Sequence, residues 1–252
     1  MFYDEIIANW REKNIRTAAD IALEMNGNGA AFIYHSAKIE NDSITYHDTR
    51  EIFDHGGVTS YTGDVRSLFE IQNSVAAYYR MLDAFEKREL MSEALICEFQ
   101  GLLTQGTYDT LRYQKGERPG AYKKHDYVTG AKEVGALPED VPEELTELLV
   151  ELDDVEPRQA LTAAAYFHAK FENIHPFADG NGRTGRLLMN YLLLLWDHPP
   201  IIIHEEDRRA YYDALEKFDE DQELAPLTAF LREQTVKTWR TRFEREQARQ
   251  HK

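Results

Sequence analysis

The sequence contains one cysteine, Cys97. A lone thiol closes no intrachain disulfide and builds no cysteine-rich zinc site, so both are excluded as sources of order. Positive charge is also scarce: 29 Lys and Arg stand against 45 Asp and Glu, a net charge of −16 at pH 7. General nucleic-acid binding depends on Lys and Arg neutralising phosphates, so this balance argues against a nucleic-acid partner. Any anionic ligand needs a local group of cations that overcomes the overall field. Long apolar runs are missing too. The greasiest stretch, Leu187 to Trp196, is interrupted by Asn190 and is too short to span a bilayer. Met1-Phe2-Tyr3-Asp4-Glu5 lacks the basic-then-apolar order of a signal peptide, and the expectation is a soluble cytoplasmic protein with no membrane partner. Internal repeats and low-complexity linkers are absent.

At 252 residues the chain can bury a sizeable core. Apolar positions recur at helical spacing over 4–25, 30–40, 64–85, 92–103, 142–152, 157–172, 187–196, 207–219 and 226–247, with a shorter helix over 49–53. Asn26-Gly27-Asn28-Gly29 is a stop and turn. Ser92 suits an N-cap, and Pro142 and Pro157 suit first turns. The basic residues of the last segment are interrupted by Glu233, Glu244 and Glu246, which reads as a solvated packing helix. Between Lys115-Gly116-Glu117-Arg118-Pro119-Gly120 and Gly130 the aromatic and β-branched content of Tyr122 to Thr129 predicts a short β-hairpin. The expected fold is all-α with a small β-hairpin flap. It divides into an N-terminal helical segment (1–60) and a core with C-terminal helices (61–252), forming one compact domain overall.

Chemistry concentrates in His175-Pro176-Phe177-Ala178-Asp179-Gly180-Asn181-Gly182-Arg183-Thr184-Gly185-Arg186, just ahead of the apolar run. Backbone N–H groups of Gly180, Asn181 and Gly182 can converge on an anion, because glycine leaves room for close approach. A helix N-terminus adds to that attraction. Arg183 and Arg186 project from neighbouring positions of the following helix and can grip phosphate oxygens. Asp179 suits Mg²⁺, which takes a carboxylate or two together with substrate phosphates. The His175 imidazole suits removal of a proton from an attacking hydroxyl. Phe177 is expected to anchor the loop in the core. His168 reads as a buried histidine with its own partner, and a His168–His175 zinc site is rejected for want of further ligands.

This stretch resembles the signature of the Fic family, His-x-Phe-x-[Asp/Glu]-Gly-Asn-Gly-Arg-x-x-Arg, at every specified position. Members mostly transfer AMP from ATP to a Ser, Thr or Tyr hydroxyl of a protein and release pyrophosphate. The resemblance implies His175 as base, Asp179 as Mg²⁺ ligand, the Gly180–Gly182 turn as phosphate cradle, Arg183 as phosphate clamp and Arg186 as the γ-phosphate contact. The implied partners are a hydroxyl-bearing target protein, with this chain itself among the candidates; self-association is left open. A phosphotransferase variant of the family carries Lys where this chain has Gly182, so nucleotidyl transfer is favoured.

Weaker likenesses extend further. Tyr122, Lys123, Tyr127, Val128 and Gly130 fall where such proteins carry a flap that clamps the target by strand addition; Lys123 stands where Arg is frequent. Tyr211-Tyr212-Asp213-Ala214-Leu215 resembles a segment lining an adenine pocket and makes Tyr212 a nucleotide-binding candidate, while the two tyrosines read equally well as core aromatics. Asp219 stands where Asn is frequent. Ser36-Ala37-Lys38-Ile39-Glu40-Asn41 fits [Ser/Thr]-x-x-x-Glu-[Gly/Asn], the family's inhibitory motif, and Phe32 to Thr45 resembles the whole inhibitory segment. The expectation is a bidentate Glu40–Arg186 pair that takes the space of a γ-phosphate and misaligns ATP. Glu40 could alternatively orient a water that removes AMP. A nucleotide-responsive binding module is the reading from outside enzymology.

Overall fold

The fold is built outward from a helix that is apolar on almost every side. In the computed structural model, which describes residues 2–127, 135–153 and 155–250, α10 (Asn181–Leu195) buries every residue from Arg183 to Leu194. A helix apolar all round belongs at the centre of a bundle. It packs along α9 (Ala160–Ile174), which faces it with Phe167, Phe171 and Ile174. α5 (Val65–Glu86) and α6 (Glu93–Thr104) cover it with Ala77, Met81, Phe85, Ile96, Phe99 and Leu103. α1 (Phe2–Glu12), α3 (Gly29–Glu40) and α12 (Ala225–Gln250) bring Trp10, Ile33 and Trp239 into the same core. A second cluster, from Leu161 through Met189 to Tyr211 and Leu231, joins α9 and α10 to α11 (Arg208–Asp221) and α12. α2 (Ala18–Glu24), α4 (Tyr46–His55), α7 (Thr110–Gln114) and α8 (Val141–Val150) complete an all-α architecture.

Two expectations need correction. The single helix over 4–25 is two, because Asn14 takes a left-handed φ of 50° and Thr17 opens a new helix with a capping box. The Asp20 N–H donates to Thr17 Oγ1 at 3.1 Å, and the Thr17 N–H donates to Asp20 Oδ2 at 2.8 Å. Satisfied end groups outweigh continued apolar periodicity there. The expected hairpin is not formed over 122–127, and there is no strand among the described residues; Val128 and Gly130 lie outside them. The reason is visible in Glu117, whose buried carboxylate accepts from the Lys124 N–H at 3.1 Å and the Tyr127 hydroxyl at 3.0 Å and lies 2.9 Å from His125 Nδ1. This segment is tied to a side chain instead of a β ladder. Ser92, by contrast, caps α6 as expected, accepting from the Leu95 N–H.

Trp10 and Trp239 meet edge to face with centroids 5.2 Å apart, joining the first helix to the last. Trp10→Ala is expected to cost about 3–5 kcal/mol in urea unfolding. A loss below about 1 kcal/mol would show that α1 contributes little to the core.

Candidate active site

The loop between α9 and α10 is held by its own side chains. His175 ends α9 in the left-handed region, φ 50°, while its N–H still donates to the Phe171 carbonyl at 3.0 Å. Gly180, φ 80°, turns the chain into α10, a conformation that suits glycine. Between them Phe177 is fully buried against Phe171 and Tyr122, anchoring the loop as expected. The Asn181 amide closes the loop from within: its Oδ1 accepts from the Phe177 N–H at 2.9 Å and its Nδ2 donates to the Phe177 carbonyl at 2.8 Å. Asn181 is therefore a brace by its side chain. α10 begins at Asn181, well ahead of the apolar run, so the N–H groups of Asn181, Gly182 and Arg183 are first-turn donors without intrahelical acceptors.

Arg186 is buried one turn on and is shared among three partners. Its Nε donates to Ser36 Oγ at 3.1 Å, its Nη2 to the Ser36 carbonyl at 2.8 Å and to Glu40 Oε1 at 2.7 Å, and its Nη1 to the Tyr211 hydroxyl at 3.4 Å. The Glu40 contact is one hydrogen bond and not the expected fork, because the other donors are turned to Ser36 and Tyr211. Glu40 also stands over the cradle: a Cβ on Gly182 would run into its carboxylate. α3 thus brings both residues of the Ser36/Glu40 motif onto α10.

Asp179 is enclosed by cations. Arg66 Nη2 lies 3.0 Å away, Arg183 Nη2 3.6 Å and Arg112 Nη2 3.8 Å. Its carbonyl accepts from Gln100 Nε2 at 2.8 Å, and Gln100 Oε1 accepts from the Gly120 N–H, so one amide ties the central loop to the segment leading to Tyr122. Glu70, buried in α5, contacts Arg66 Nε at 3.0 Å and Arg183 Nη1 at 3.7 Å and accepts from Asn41 Nδ2 at 2.7 Å. Among the described residues no group of three or more His, Cys, Asp or Glu could cage a metal. A single carboxylate, 16% exposed, nevertheless fits a cation that takes its other ligands from phosphates and water.

Burial, and next the Lys123 ammonium, push the His175 pKa down to about 4, leaving a neutral imidazole at pH 7. Lys123 itself is 2% exposed; its N–H donates to the Pro176 carbonyl at 2.9 Å, and its Nζ has no hydrogen-bond partner among the described residues. It lies under the central loop and not on a surface flap. Tyr122 donates to Glu93 at 2.8 Å, and Tyr127 is held by Glu117. Tyr212 is 44% exposed and close enough to Glu40 and Arg186 to feel both charges. Tyr211 is buried behind Arg186 and bonded to His168 Nε2 at 2.7 Å, which supplies the partner expected for that histidine. Asp219, expected at the adenine side, accepts from Asn173 at 2.9 Å. Sequence reasoning missed Glu70, Arg66, Arg112 and Gln100. The i, i+4 pair Arg66/Glu70 is the one local signal, and such pairs are ordinary on helices.

Comparison with known proteins agrees with this geometry. Residues 90–193 match the Fic/DOC family. The chain therefore carries a Fic domain, and α3 and α5 supply site residues from outside the matched span. A protein adenylyltransferase Fic of Drosophila persimilis is 30% identical over 210 residues, covering 82% of this chain and 39% of the relative. One from Aedes aegypti is 47% identical over 75 residues, covering 30% of this chain and 15% of the relative. The chain thus spans well under half the length of these relatives. Among solved structures, a Fic-domain signalling protein of Bacteroides thetaiotaomicron has the same fold, with a TM-score of 0.79 at 23% identity over 97% of this chain and 96% of that one. No helix among the described residues is long and apolar enough to cross a membrane.

Four histidines are held neutral by the fold, His168 and His198 fully buried and His35 and His175 partly so: His35, His175 and His198 have pKa pushed down to about 4, and His168 to about 3, each mainly by desolvation. Unfolding returns them to the ordinary histidine value of 6.5, so between that pH and about 4 the unfolded chain binds more protons than the folded one. Folding free energy is expected to be full above pH 6.5 and to fall as pH drops toward 4, by up to about 1.4 kcal/mol per pH unit per histidine. Urea midpoints at pH 7.5, 6 and 5 measure it; a flat profile would contradict neutral burial.

Proposed function

We propose that the chain is a protein adenylyltransferase held off by its own N-terminal segment, residues 1–60. The observation that carries this reading is Glu40 on Arg186 and over Gly182: a carboxylate sits where the arginine and the first turn of α10 offer an anion site. The 30% identical relatives named protein adenylyltransferase Fic support the same chemistry. ATP is the substrate that fits. A triphosphate supplies the charge that the first-turn N–H groups, Arg183 and Arg186 solicit, and Tyr212 is exposed beside Arg186 where a base can lie.

In the reaction the target hydroxyl oxygen bonds to the α-phosphorus as the bond from that phosphorus to the bridging oxygen of the β-phosphate breaks. Pyrophosphate leaves with the electron pair, and the hydroxyl proton passes to the neutral His175 imidazole. Asp179 would hold Mg²⁺, which supplies charge neutralisation on the phosphates. The first-turn N–H groups of α10 stabilise charge that builds on the α-phosphate oxygens. Glu40 opposes all of this through the space it occupies and the hydrogen bond it takes from Arg186. The target is a protein Ser, Thr or Tyr, and this chain is itself a candidate.

A second reading has Glu40, 34% exposed at the site mouth, activating water against an AMP–protein bond. Labelled ATP separates the readings. Glu40→Gly is expected to raise AMP incorporation into protein at least about tenfold, and His175→Ala on that background to abolish it. Equal incorporation in wild type and Glu40→Gly removes autoinhibition. Incorporation that survives His175→Ala removes the assigned base, and none in either protein favours a nucleotide-responsive binding module.

A further inference from the structure

We infer that Tyr211, its hydroxyl fixed by His168, is a positioning residue that keeps the Arg186 guanidinium aimed at the terminal phosphate when Glu40 gives way to the nucleotide. This rests on the adenylyltransferase reading, in which Arg186 takes the γ-phosphate of ATP. Most of the acceptors that now hold the Arg186 head lie on α3: Ser36 Oγ, the Ser36 carbonyl and Glu40 Oε1. They move with that helix. The Tyr211 hydroxyl, which accepts from Nη1 at 3.4 Å, comes from α11 and does not. A guanidinium is planar and rigid, so a fixed acceptor on Nη1 also sets where Nη2 points after Glu40 leaves it.

The hydroxyl is held more firmly than its distance to Arg186 alone conveys. Arginine offers only donors, so the Tyr211 oxygen accepts from it. The phenol hydrogen then goes to His168 Nε2, 2.7 Å away, which requires that nitrogen to carry no proton of its own. Burial, and next the charge on Arg186, push the His168 pKa down to about 3, and a neutral ring can accept there at pH 7. The His168 and Tyr211 rings stack with centroids 5.8 Å apart, and Phe230 packs on Tyr211 at 6.0 Å. His168 is 0% and Tyr211 1% exposed, so packing allows neither ring to swing away. The contact from Nη1 is long for a hydrogen bond while α3 holds the same guanidinium, and loss of Glu40 frees it to close.

Calorimetric titration with magnesium ATP and, separately, magnesium ADP reads the terminal phosphate; the parent is the Glu40→Gly, His175→Ala protein, which lacks the base assigned to turnover. Tyr211→Phe keeps the ring and removes the hydroxyl. It is expected to weaken ATP about fivefold and to leave ADP within about twofold, which also shows that the variant is folded. His168→Leu, which leaves the phenol free to turn, is expected to lower ATP affinity in the same selective way. With Arg186→Gln in the parent, Tyr211→Phe is expected to change ATP affinity no further, as a residue acting through that guanidinium must. Unchanged ATP affinity in Tyr211→Phe, equal losses for ATP and ADP, or a loss that persists in the Arg186→Gln protein overturns the inference. ATP affinity unchanged by His168→Leu removes His168 from it. A parent that prefers ATP to ADP, with no AMP transfer by the Glu40→Gly protein, overturns the adenylyltransferase reading alone.

Discussion

The site depends on a buried positive charge that needs an anion. The Arg186 side chain is 4% exposed, and among the described residues the carboxylate in direct contact with it is Glu40. Ser36 and Tyr211 satisfy hydrogen-bond geometry without neutralising charge. Removing one member of a buried ion pair is costly because the other is stranded, but the pair here is asymmetric. Glu40 is 34% exposed and returns to water readily, whereas Arg186 cannot follow it. Anything that displaces Glu40 must therefore supply its own negative charge, or let water reach the guanidinium. That asymmetry turns a structural ion pair into a binding equilibrium.

The central loop is braced by contacts of its own that do not involve this pair. Asn181 spends both ends of its amide on Phe177, Phe177 fills the core, and Gln100 fixes the Asp179 carbonyl. An oxyanion cradle is useful only if its N–H groups are held before the ligand arrives, because reorganisation costs what binding gains. Polar side chains that look available to a ligand in sequence are largely consumed in holding backbone. What remains to act is the first-turn backbone and the His175 ring, with the arginine heads available by exchange of their present partners.

This division also marks what the sequence makes legible. His175 to Arg186 is readable because its chemistry is contiguous, and α10 is readable from Leu187 onward because its apolar content is uninterrupted. The true start at Asn181 is hidden, since Gly180-Asn181-Gly182 looks like a turn and only tertiary hydrogen bonds make it a first helical turn. Glu40 is readable through its spacing from Ser36, although its single bond to Arg186 depends on where the other donors point. Lys123 is placed correctly in sequence and wrongly in space, because nothing local says that an ammonium will be buried beneath a loop. Arg66, Arg112, Glu70 and Gln100 come from three helices, each in an ordinary local pattern, and acquire meaning only where those helices converge.

That convergence ties α3 to Arg183 and Arg66 by a second route. Asn41, which ends α3, donates to Glu70, and Glu70 in turn faces both Arg183 and Arg66. α3 therefore reaches the anion site twice: through Glu40 on Arg186 from one side, and through Asn41 and Glu70 behind Arg183 from the other. The two contacts lie at consecutive positions of the chain, so a displacement of the end of α3 that breaks one strains the other. Glu70 is 4% exposed, and if it lost Asn41 it would have Arg66 and Arg183 as its remaining polar partners among the interactions described above. On the proposed reading, Asn41 would then act with Glu40, because both tie the end of α3 to the arginines of the site.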